Sequence, residues 1–353
     1  MRSVGHTPDR VDAHRSVCYP KPMKLINALL FVCVCLTSCV TKPKTEQQSG
    51  MPRIHNLAPD FIEYWNQVKE KPLPKQIQKL KSDFLVKFPQ FYNYKIGKWE
   101  RSGQKADEEF GKIIKEYPQL EANFIKKTDQ VTETLNITLA SFLKSFPEMN
   151  QDFDVYLTHS FGEMDGGTRN IGGKIYLIFG IDGMVNYHKG FTSEIPFFHH
   201  ELFHIYHGQY FPEEQVIWIA LWTEGLASYA SQKLNPEASM KDLILDLPEG
   251  MVRKIDKSLD EHWADLTKKL NSKSDIDYET YFLMSSKDKK IVPRAGYYLG
   301  YLLAKEVGKT KSVNEMAQMK PNEVLPLLKL ALKTVRKEKT NEKPNKSRTK
   351  IRS

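Results

Sequence analysis

The sequence predicts an α+β fold that is mostly helical and contains one small sheet. Apolar side chains recur at helical spacing through residues 57–147, a pattern typical of amphipathic helices. Two short β-rich runs, Val155–Thr158 and Lys174–Phe179, then interrupt that pattern. The sequence after them carries no further strand signal, so the sheet is expected to precede a mostly helical second half.

The positive charge of the chain lies at its two ends. The 353 residues include 52 Lys and Arg against 43 Asp and Glu, a formal charge of +9. Residues 1–38 contribute +3 and residues 333–353 contribute +7, which leaves −1 for residues 39–332. Because the body is near neutral, we expect no nucleic-acid partner. The basic segment 333–353 is interpreted as a disordered tail.

All four cysteines lie near the amino terminus, at positions 18, 33, 35 and 39. The rest of the chain contains none, so the folded body has neither a disulfide framework nor a cysteine-based zinc site. A metal ion bound there must be held by histidine and carboxylate side chains.

The amino-terminal segment has the features of a secretory signal. Met23-Lys24 precedes an apolar run, Leu25–Leu36, that is too short to span a bilayer comfortably. The run ends in Leu-Thr-Ser-Cys and resembles the lipobox of bacterial lipoproteins. The resemblance implies cleavage before Cys39, acylation of that residue, and a lipid-anchored protein of the bacterial cell envelope that faces the periplasm or the exterior. An uncleaved signal anchor is the alternative.

The remaining segments before the sheet follow from composition and periodicity. Residues 1–38 are expected to be the signal segment, with 1–22 as an upstream mis-start, and residues 39–55 a flexible tether. Residues 56–150 are expected to form a helical layer without a ligand-like cluster. The helices predicted in this layer are Asp60–Lys71, Gln76–Phe88, Asp107–Tyr117 and Val131–Phe146.

A glycine-rich segment, residues 162–173, connects the two β-rich runs. It predicts a long connection between neighbouring strands. A phosphate-binding loop is the competing interpretation, but neither GxGxxG nor GxxxxGK(S/T) is present.

The main chemical motif is an HExxH pattern at residues 200–204. Residues four apart share one face of a helix, so His200 and His204 can bind a single metal ion. Glu201 lies beside the first ligand and can act as a base on water. The neighbouring side chains are apolar nearly all round, which predicts a buried helix whose polar groups a metal would satisfy.

A second helix is predicted at residues 213–234, with Glu224 as one carboxylate in an otherwise apolar stretch. Nineteen residues separate Glu224 from His204. This HExxH-x19-E layout, with Gly-Leu-Ala directly after the glutamate, resembles the gluzincin metallopeptidases. Small residues at these positions let two helices approach closely.

The resemblance implies a site and a fold. His200, His204 and Glu224 would bind Zn2+, and Glu201 would be the general base. Residues 151–332 would form a zincin-like metallopeptidase region, with the small sheet before the HExxH helix.

One position departs from the family's pattern. Some gluzincins have an aspartate four residues after the third ligand, where it orients a histidine, but this chain has Ser228. The sequence identifies no other residue for that task. His199 points about 100° away from the ligand face and is expected to be structural. For His207, an exposed or hydrogen-bonded position is favoured over a place in the cleft.

The resemblance also indicates where a peptide would lie. In gluzincins an edge strand before the motif helix can hold the substrate through backbone hydrogen bonds, and Lys174–Gly180 is the predicted edge. Pro293–Val307 is predicted to be a helix with small residues at close-packing positions. It supplies Tyr297 as a candidate catalytic residue for stabilising an oxyanion, with Tyr298 and Arg294 as further candidates. Aromatic core packing is the alternative for the tyrosines.

The expected function follows from these resemblances. The Gly-Tyr-Tyr-Leu-Gly-Tyr segment and the Glu224 helix together resemble an uncharacterised bacterial family of predicted zinc-dependent proteases, over roughly residues 150–310. The expectation is a membrane-anchored zinc peptidase that hydrolyses bonds in a peptide or protein substrate. The alternative is a non-enzymatic lipoprotein with a structural zinc site or a peptide-binding cleft.

Overall fold

The structure is a computed structural model, and it describes residues 51–212, 214–284, 288 and 290–342. The predicted signal segment, the predicted lipidation residue Cys39 and residues 343–353 lie outside this part of the chain. Among the described helices, none is both long enough and apolar enough to cross a membrane.

The chain before the sheet is almost entirely helical. Its helices are α1 (Ala58–Val68), α2 (Leu73–Lys79), α3 (Pro89–Arg101), α4 (Ala106–Glu116) and α5 (Glu121–Ser145). Between α2 and α3 the chain continues as a π-helical turn at Leu80–Phe84 and a 3-10 turn at Leu85–Lys87. The sequence does not predict α3, because the predicted helix Gln76–Phe88 ends just before Pro89, a residue that often ends helices. Proline fits equally well in a first helical turn, and Pro89 begins α3.

Four described strands form one mixed sheet. They are β1 (Arg53–Asn56), β2 (Asp154–Thr158), β3 (Gly166–Ile171) and β4 (Lys174–Gly180), in the order β1, β2, β4, β3. The pairs β1–β2 and β2–β4 are parallel, whereas β3 is antiparallel to β4. The predicted α+β class, mostly helical with a small sheet, is confirmed.

The sheet differs from the prediction in three details. Strand β1 begins at Arg53, so the predicted tether of residues 39–55 extends too far. Segment 162–173 is not one long loop, because it contains β3 and a two-residue turn at Gly172 and Gly173 with φ of +64° and +85°. Strand β4 is an interior strand, so the edge predicted at Lys174–Gly180 is wrong, and the two edge strands of the described sheet are β1 and β3.

The chain after the sheet is helical throughout. Its helices are α6 (Ile181–Tyr187), α7 (Ile195–His207), α8 (Ile217–Leu234), α9 (Met251–Lys257), α10 (Leu259–Lys269), α11 (Asp275–Phe282), α12 (Ala295–Val307), α13 (Val313–Ala317) and α14 (Pro321–Glu342). Helix α8 begins later than the predicted start at residue 213. Helix α14 extends to Glu342, so the predicted disordered tail 333–353 is wrong for its first part. The buried side chains of Val324, Leu328 and Leu332 give α14 an apolar face. The sequence predicts no helix in the tail, because that segment is rich in basic residues.

Helices cover both faces of the sheet. On one face, Phe179 of β4 contacts Phe197 and Phe198 of α7, with ring centroids 5.8 and 4.8 Å apart. On the other face, Phe88 stacks on Tyr156 of β2 at 3.7 Å. The helical layer and the region after it therefore share one hydrophobic core.

Helices α8 and α12 meet at a pair of glycines. A Cβ atom on Gly225 would lie 2.1 Å from the carbonyl carbon of Gly300, and one on Gly300 would lie 2.3 Å from the carbonyl oxygen of Leu221. Only glycine permits so close an approach. The predicted close packing at these positions is confirmed, and it holds Glu224, the residue before Gly225, firmly beside α12.

Candidate metal centre

A buried charged cluster fixes the start of the motif helix. The His188 ring lies between two carboxylates, with Nδ1 2.5 Å from Glu194 Oε2 and Nε2 3.2 Å from Asp165 Oδ2. Burial alone would lower the pKa of His188, but the two carboxylates raise it to about 9. Glu194 immediately precedes α7 and also pairs with Lys127 of α5. Because Asp165 immediately precedes β3, the cluster sets the position of α7 relative to the edge strand.

Three side chains from α7 and α8 converge on one point. His200 Nε2 is 3.0 Å from His204 Nε2 and 3.2 Å from Glu224 Oε2. His204 Nε2 is 3.3 Å from the same carboxylate oxygen. A tetrahedral zinc ion with bonds of about 2.0–2.1 Å separates its ligand atoms by about 3.3–3.4 Å. The three groups therefore fit zinc, and no other His, Cys, Asp and Glu group in the described part of the chain converges in this way.

The surroundings favour the protonation states that a metal requires. His200 is 2% exposed, and burial lowers its pKa against the opposing hydrogen bond of Glu224. Burial alone would raise the pKa of Glu224, but its interactions with His204 and His200 hold that pKa well below its usual value. Neutral imidazole and ionised carboxylate are the forms that bind zinc.

Ser228 itself contacts a predicted ligand. It lies one turn after Glu224 on α8, and its Oγ is 3.4 Å from His200 Nδ1. The sequence left the residue that orients this histidine unidentified, because Ser228 was treated only as a missing aspartate. In the structure the serine hydroxyl lies next to His200 Nδ1, while Nε2 of the same ring faces Glu224.

Glu201 lines the same cleft as His204 and Glu224. The cleft has a volume of about 820 Å³, within the range of sites for small ligands and peptide segments. Glu201 follows His200 directly and so projects about 100° around α7 from it. The structure thus places Glu201 beside the three convergent groups and not among them.

Of the three candidates for oxyanion stabilisation, Tyr297 lines the cleft. Its ring centroid is 6.4 Å from that of His200. Burial raises the Tyr297 pKa well above its usual value and the charge of Glu224 adds to the effect, whereas Arg294 opposes it. The Arg294 guanidinium lies 4.1 Å from the Tyr297 ring centroid. Tyr298 instead donates its hydroxyl to a carboxylate of α9 at 3.2 Å and does not line the cleft.

The two remaining histidines of α7 have different positions. His199 is buried and structural, as predicted, since its ring nitrogens lie 2.9 Å from Ser141 Oγ and 2.9 Å from Asn235 Nδ2. His207 is 1% exposed, stacks on Phe211 and lines the cleft. Its Nε2 has no hydrogen-bond partner among the described residues. The prediction of an exposed or hydrogen-bonded His207 is wrong, because the ring is buried against Phe203 and Phe211.

Strand β3 forms one wall of the cleft and has an open edge. Ile171 and Lys174 flank the two-residue turn and pair with each other, which places the ladder bonds at odd positions of β3. The bond from Gly180 N to Asp165 O continues this alternation. The backbone groups of the even positions, with Thr168 in the middle, therefore face the open edge. Sequence reasoning missed this wall, although a two-glycine turn before a β-rich run is a hairpin signal.

Comparison of the chain with models of protein families, with curated proteins and with solved structures finds no match.

Proposed function

We propose that the chain is a zinc-dependent peptidase with a zincin-like fold of the gluzincin type. The observation that carries the proposal is the convergence of His200, His204 and Glu224 at distances suited to tetrahedral zinc, with Glu201 in the same cleft. The small sheet ahead of α7 and the glutamate ligand on the next helix agree with that assignment.

Glu201 is the proton-transfer group of the proposed reaction. A zinc ion bound at the three ligands would lower the pKa of water towards 7 and polarise the scissile carbonyl group. Glu201 accepts the proton of the attacking water and then delivers it to the leaving amine. Ser228 keeps the His200 ring oriented while this happens, through its contact with Nδ1.

Tyr297 stabilises the oxyanion that forms when water adds to the carbonyl group. The phenol keeps its proton at neutral pH, since the ordinary pKa of tyrosine is about 10 and burial raises it further, so the hydroxyl can donate a hydrogen bond. The guanidinium of Arg294 against the ring adds positive charge close to the developing anion. Arg294 acts on the reaction through Tyr297, since it does not itself line the cleft.

The edge of β3 holds the substrate in an extended conformation. A peptide added antiparallel or parallel to β3 would pair with the outward backbone groups around Thr168. Ile205 and Phe211 line the cleft nearby and supply apolar contacts for its side chains. Peptide or protein chains are therefore the proposed substrates.

A paired measurement on the wild-type protein and a Glu201→Gln variant tests this function. Metal analysis should find one zinc per chain in both proteins, because the substitution leaves the three ligands in place. A diverse peptide library should be cleaved by the wild type, and cleavage should fall at least about 100-fold in the variant. Equal cleavage by both proteins would disprove the role of Glu201. Bound zinc with no cleavage by the wild type would instead favour a non-enzymatic lipoprotein with a structural zinc site.

We also propose that Cys39 is lipidated and tethers the enzyme to a membrane of the bacterial cell envelope, on its periplasmic or outer side. The lipobox-like sequence ending at Cys39 carries this proposal. The Cys39→Ala variant should move from the membrane fraction to the soluble fraction of expressing cells. Retention of the variant in the membrane would contradict lipidation at this residue.

A further inference from the structure

We propose that Arg169 provides the cleft with a binding site for a carboxylate group of the substrate. The enzyme would then prefer peptides that carry an anionic group beside the edge strand. This inference rests on the proposed peptidase function and adds the chemical class of its substrate.

Arg169 lies on β3, and its guanidinium group lies beside the backbone at the open edge of that strand. Nη1 donates to the carbonyl oxygen of Thr168 at 2.9 Å. The same nitrogen lies 3.4 Å from the position that a Cβ atom on Gly167 would occupy. Gly167, Thr168 and Arg169 all line the cleft. The cation is therefore placed along the edge at which a peptide would pair.

Most of the hydrogen-bonding capacity of Arg169 is unused. Its side chain is 3% exposed, and both Nε and Nη2 lack a hydrogen-bond partner among the described residues. A buried guanidinium with so few hydrogen bonds is unfavourable, because the group loses its hydration and gains little in return. A carboxylate matches this need, since its two oxygens can accept two parallel N–H bonds from one guanidinium.

The protein's own carboxylates neutralise Arg169 only in part. The nearest, Glu163 Oε1, is 3.6 Å from Nη2, which is beyond a good hydrogen bond. Glu163 already contacts Lys98 Nζ at 2.8 Å and Lys95 Nζ at 3.0 Å. Although burial opposes it, Lys95, Lys98 and the more distant Arg169 together lower the Glu163 pKa to about 2. Asp182 is a second carboxylate that interacts with Lys95. The group then contains three cations, Lys95, Lys98 and Arg169, and two carboxylates, Glu163 and Asp182.

The other cations of the cleft have partners. Arg53 Nε is 2.8 Å from Asp154 Oδ1, and its Nη1 is 3.0 Å from Asp152 Oδ1. Lys174 pairs with Asp154 as well. Both side chains are more than half exposed, at 54% and 52%, so water and their partners satisfy them. Arg53 therefore serves as a matched control, a cation on the same cleft without unused buried donors.

Peptide binding to the zinc-loaded Glu201→Gln protein tests the proposal without turnover. The reference is a neutral fluorescent peptide with an amidated carboxyl terminus. A second peptide has the same sequence and a free carboxyl terminus. A third set keeps the amidated terminus and replaces one Gln with Glu, at a different position in each peptide. Fluorescence anisotropy gives each affinity. At least one anionic form should bind about 10- to 100-fold more tightly than the neutral form. A preference for the free terminus indicates recognition of the α-carboxylate, and a preference for one Glu position indicates a side-chain carboxylate.

Variants locate the preference. Arg169→Gln should bind all forms equally, Arg169→Lys should keep part of the preference, and Arg53→Gln should keep all of it. Equal binding of neutral and anionic peptides by the protein that retains Arg169 overturns the proposal, and this comparison needs no variant that could misfold. A preference that survives Arg169→Gln overturns it too.

Wild-type cleavage of the same peptides separates the two proposals. Cleavage without a charge preference leaves the peptidase function standing and removes the anionic site. A charge preference in binding, without cleavage by the wild type, retains the anionic site and removes the peptidase function.

Discussion

Replacing Gly225 with alanine would place a methyl group inside the crossing of α8 and α12. The new Cβ would lie 2.1, 2.4 and 2.5 Å from the carbonyl carbon, carbonyl oxygen and Cα atom of Gly300. These are backbone atoms and cannot rotate away, so the two helices must move apart. Overpacking of this kind costs about 3 kcal/mol at the upper end of its usual range, whereas alanine gains about 1 kcal/mol in helix propensity. The net expectation is a loss of about 2 kcal/mol.

The assay is thermal unfolding followed by a zinc-affinity titration. A loss of about 2 kcal/mol lowers Tm by about 3 °C, because an unfolding entropy of about 2.1 cal/mol/K per residue amounts to roughly 0.6 kcal/mol/K for a folded part of this length. Zinc affinity should fall as well, because Glu224 precedes the displaced residue. Gly111→Ala in α4 is the matched control. A Cβ atom there would meet only the Leu73 side chain at 3.4 Å and the Ile77 side chain at 3.7 Å, so this change should be neutral or stabilising by up to about 1 kcal/mol. An unchanged or higher Tm for Gly225→Ala would refute the close-packing argument.

Three further changes probe the site and its support. Ser228→Ala should weaken zinc binding about 10-fold, because it removes the contact with His200. A competition titration with a chelator measures this affinity, and an unchanged affinity would show that the contact does not orient His200. Tyr297→Phe should lower kcat about 100-fold with little change in KM, and a change confined to KM would show that Tyr297 only binds substrate. His188→Gln should lower the free energy of unfolding by about 3 kcal/mol below pH 6.5, where the protonated His188 stabilises the wild type fully, because its folded-state pKa of about 9 exceeds the ordinary value of about 6.5. That difference should vanish as pH rises through 9, as urea unfolding at several pH values would reveal, and a pH-independent effect would contradict the charged cluster.

The placement of the motif helices was predictable because their signals are local. The i, i+4 spacing of His200 and His204 places them on one face of a helix, and the small residues after Glu224 indicate that its helix crosses another helix closely. In the structure the whole HExxH pattern lies within α7, and α8 begins a few residues after its predicted start. The convergence of the three groups follows from these two elements alone.

The edge strand could not be predicted in the same way. Strand β3 reads Gly-Gly-Thr-Arg-Asn-Ile, a sequence of weak intrinsic β-propensity, and it is extended because β4 pairs with it. Its position at the edge depends on β2 pairing with the other side of β4. The sequence predicts that β2 and β4 are neighbours, but no local pattern reveals that they are parallel. The contact between Ser228 and His200 could not be predicted for a related reason, because it depends on how closely two different helices pack.

The connection between β1 and β2 has a consequence for how the molecule folds. The two strands are hydrogen-bonded neighbours, yet Arg53 and Asp154 are 101 residues apart, and the whole helical layer lies between them. The entropy lost in closing so long a loop must be recovered by contacts that exist only after the intervening helices have packed. Local contacts in the β3–β4 hairpin carry no such penalty. We therefore expect the first strand in the sequence to be the last to join the sheet, and its amide hydrogens to exchange before those of β4.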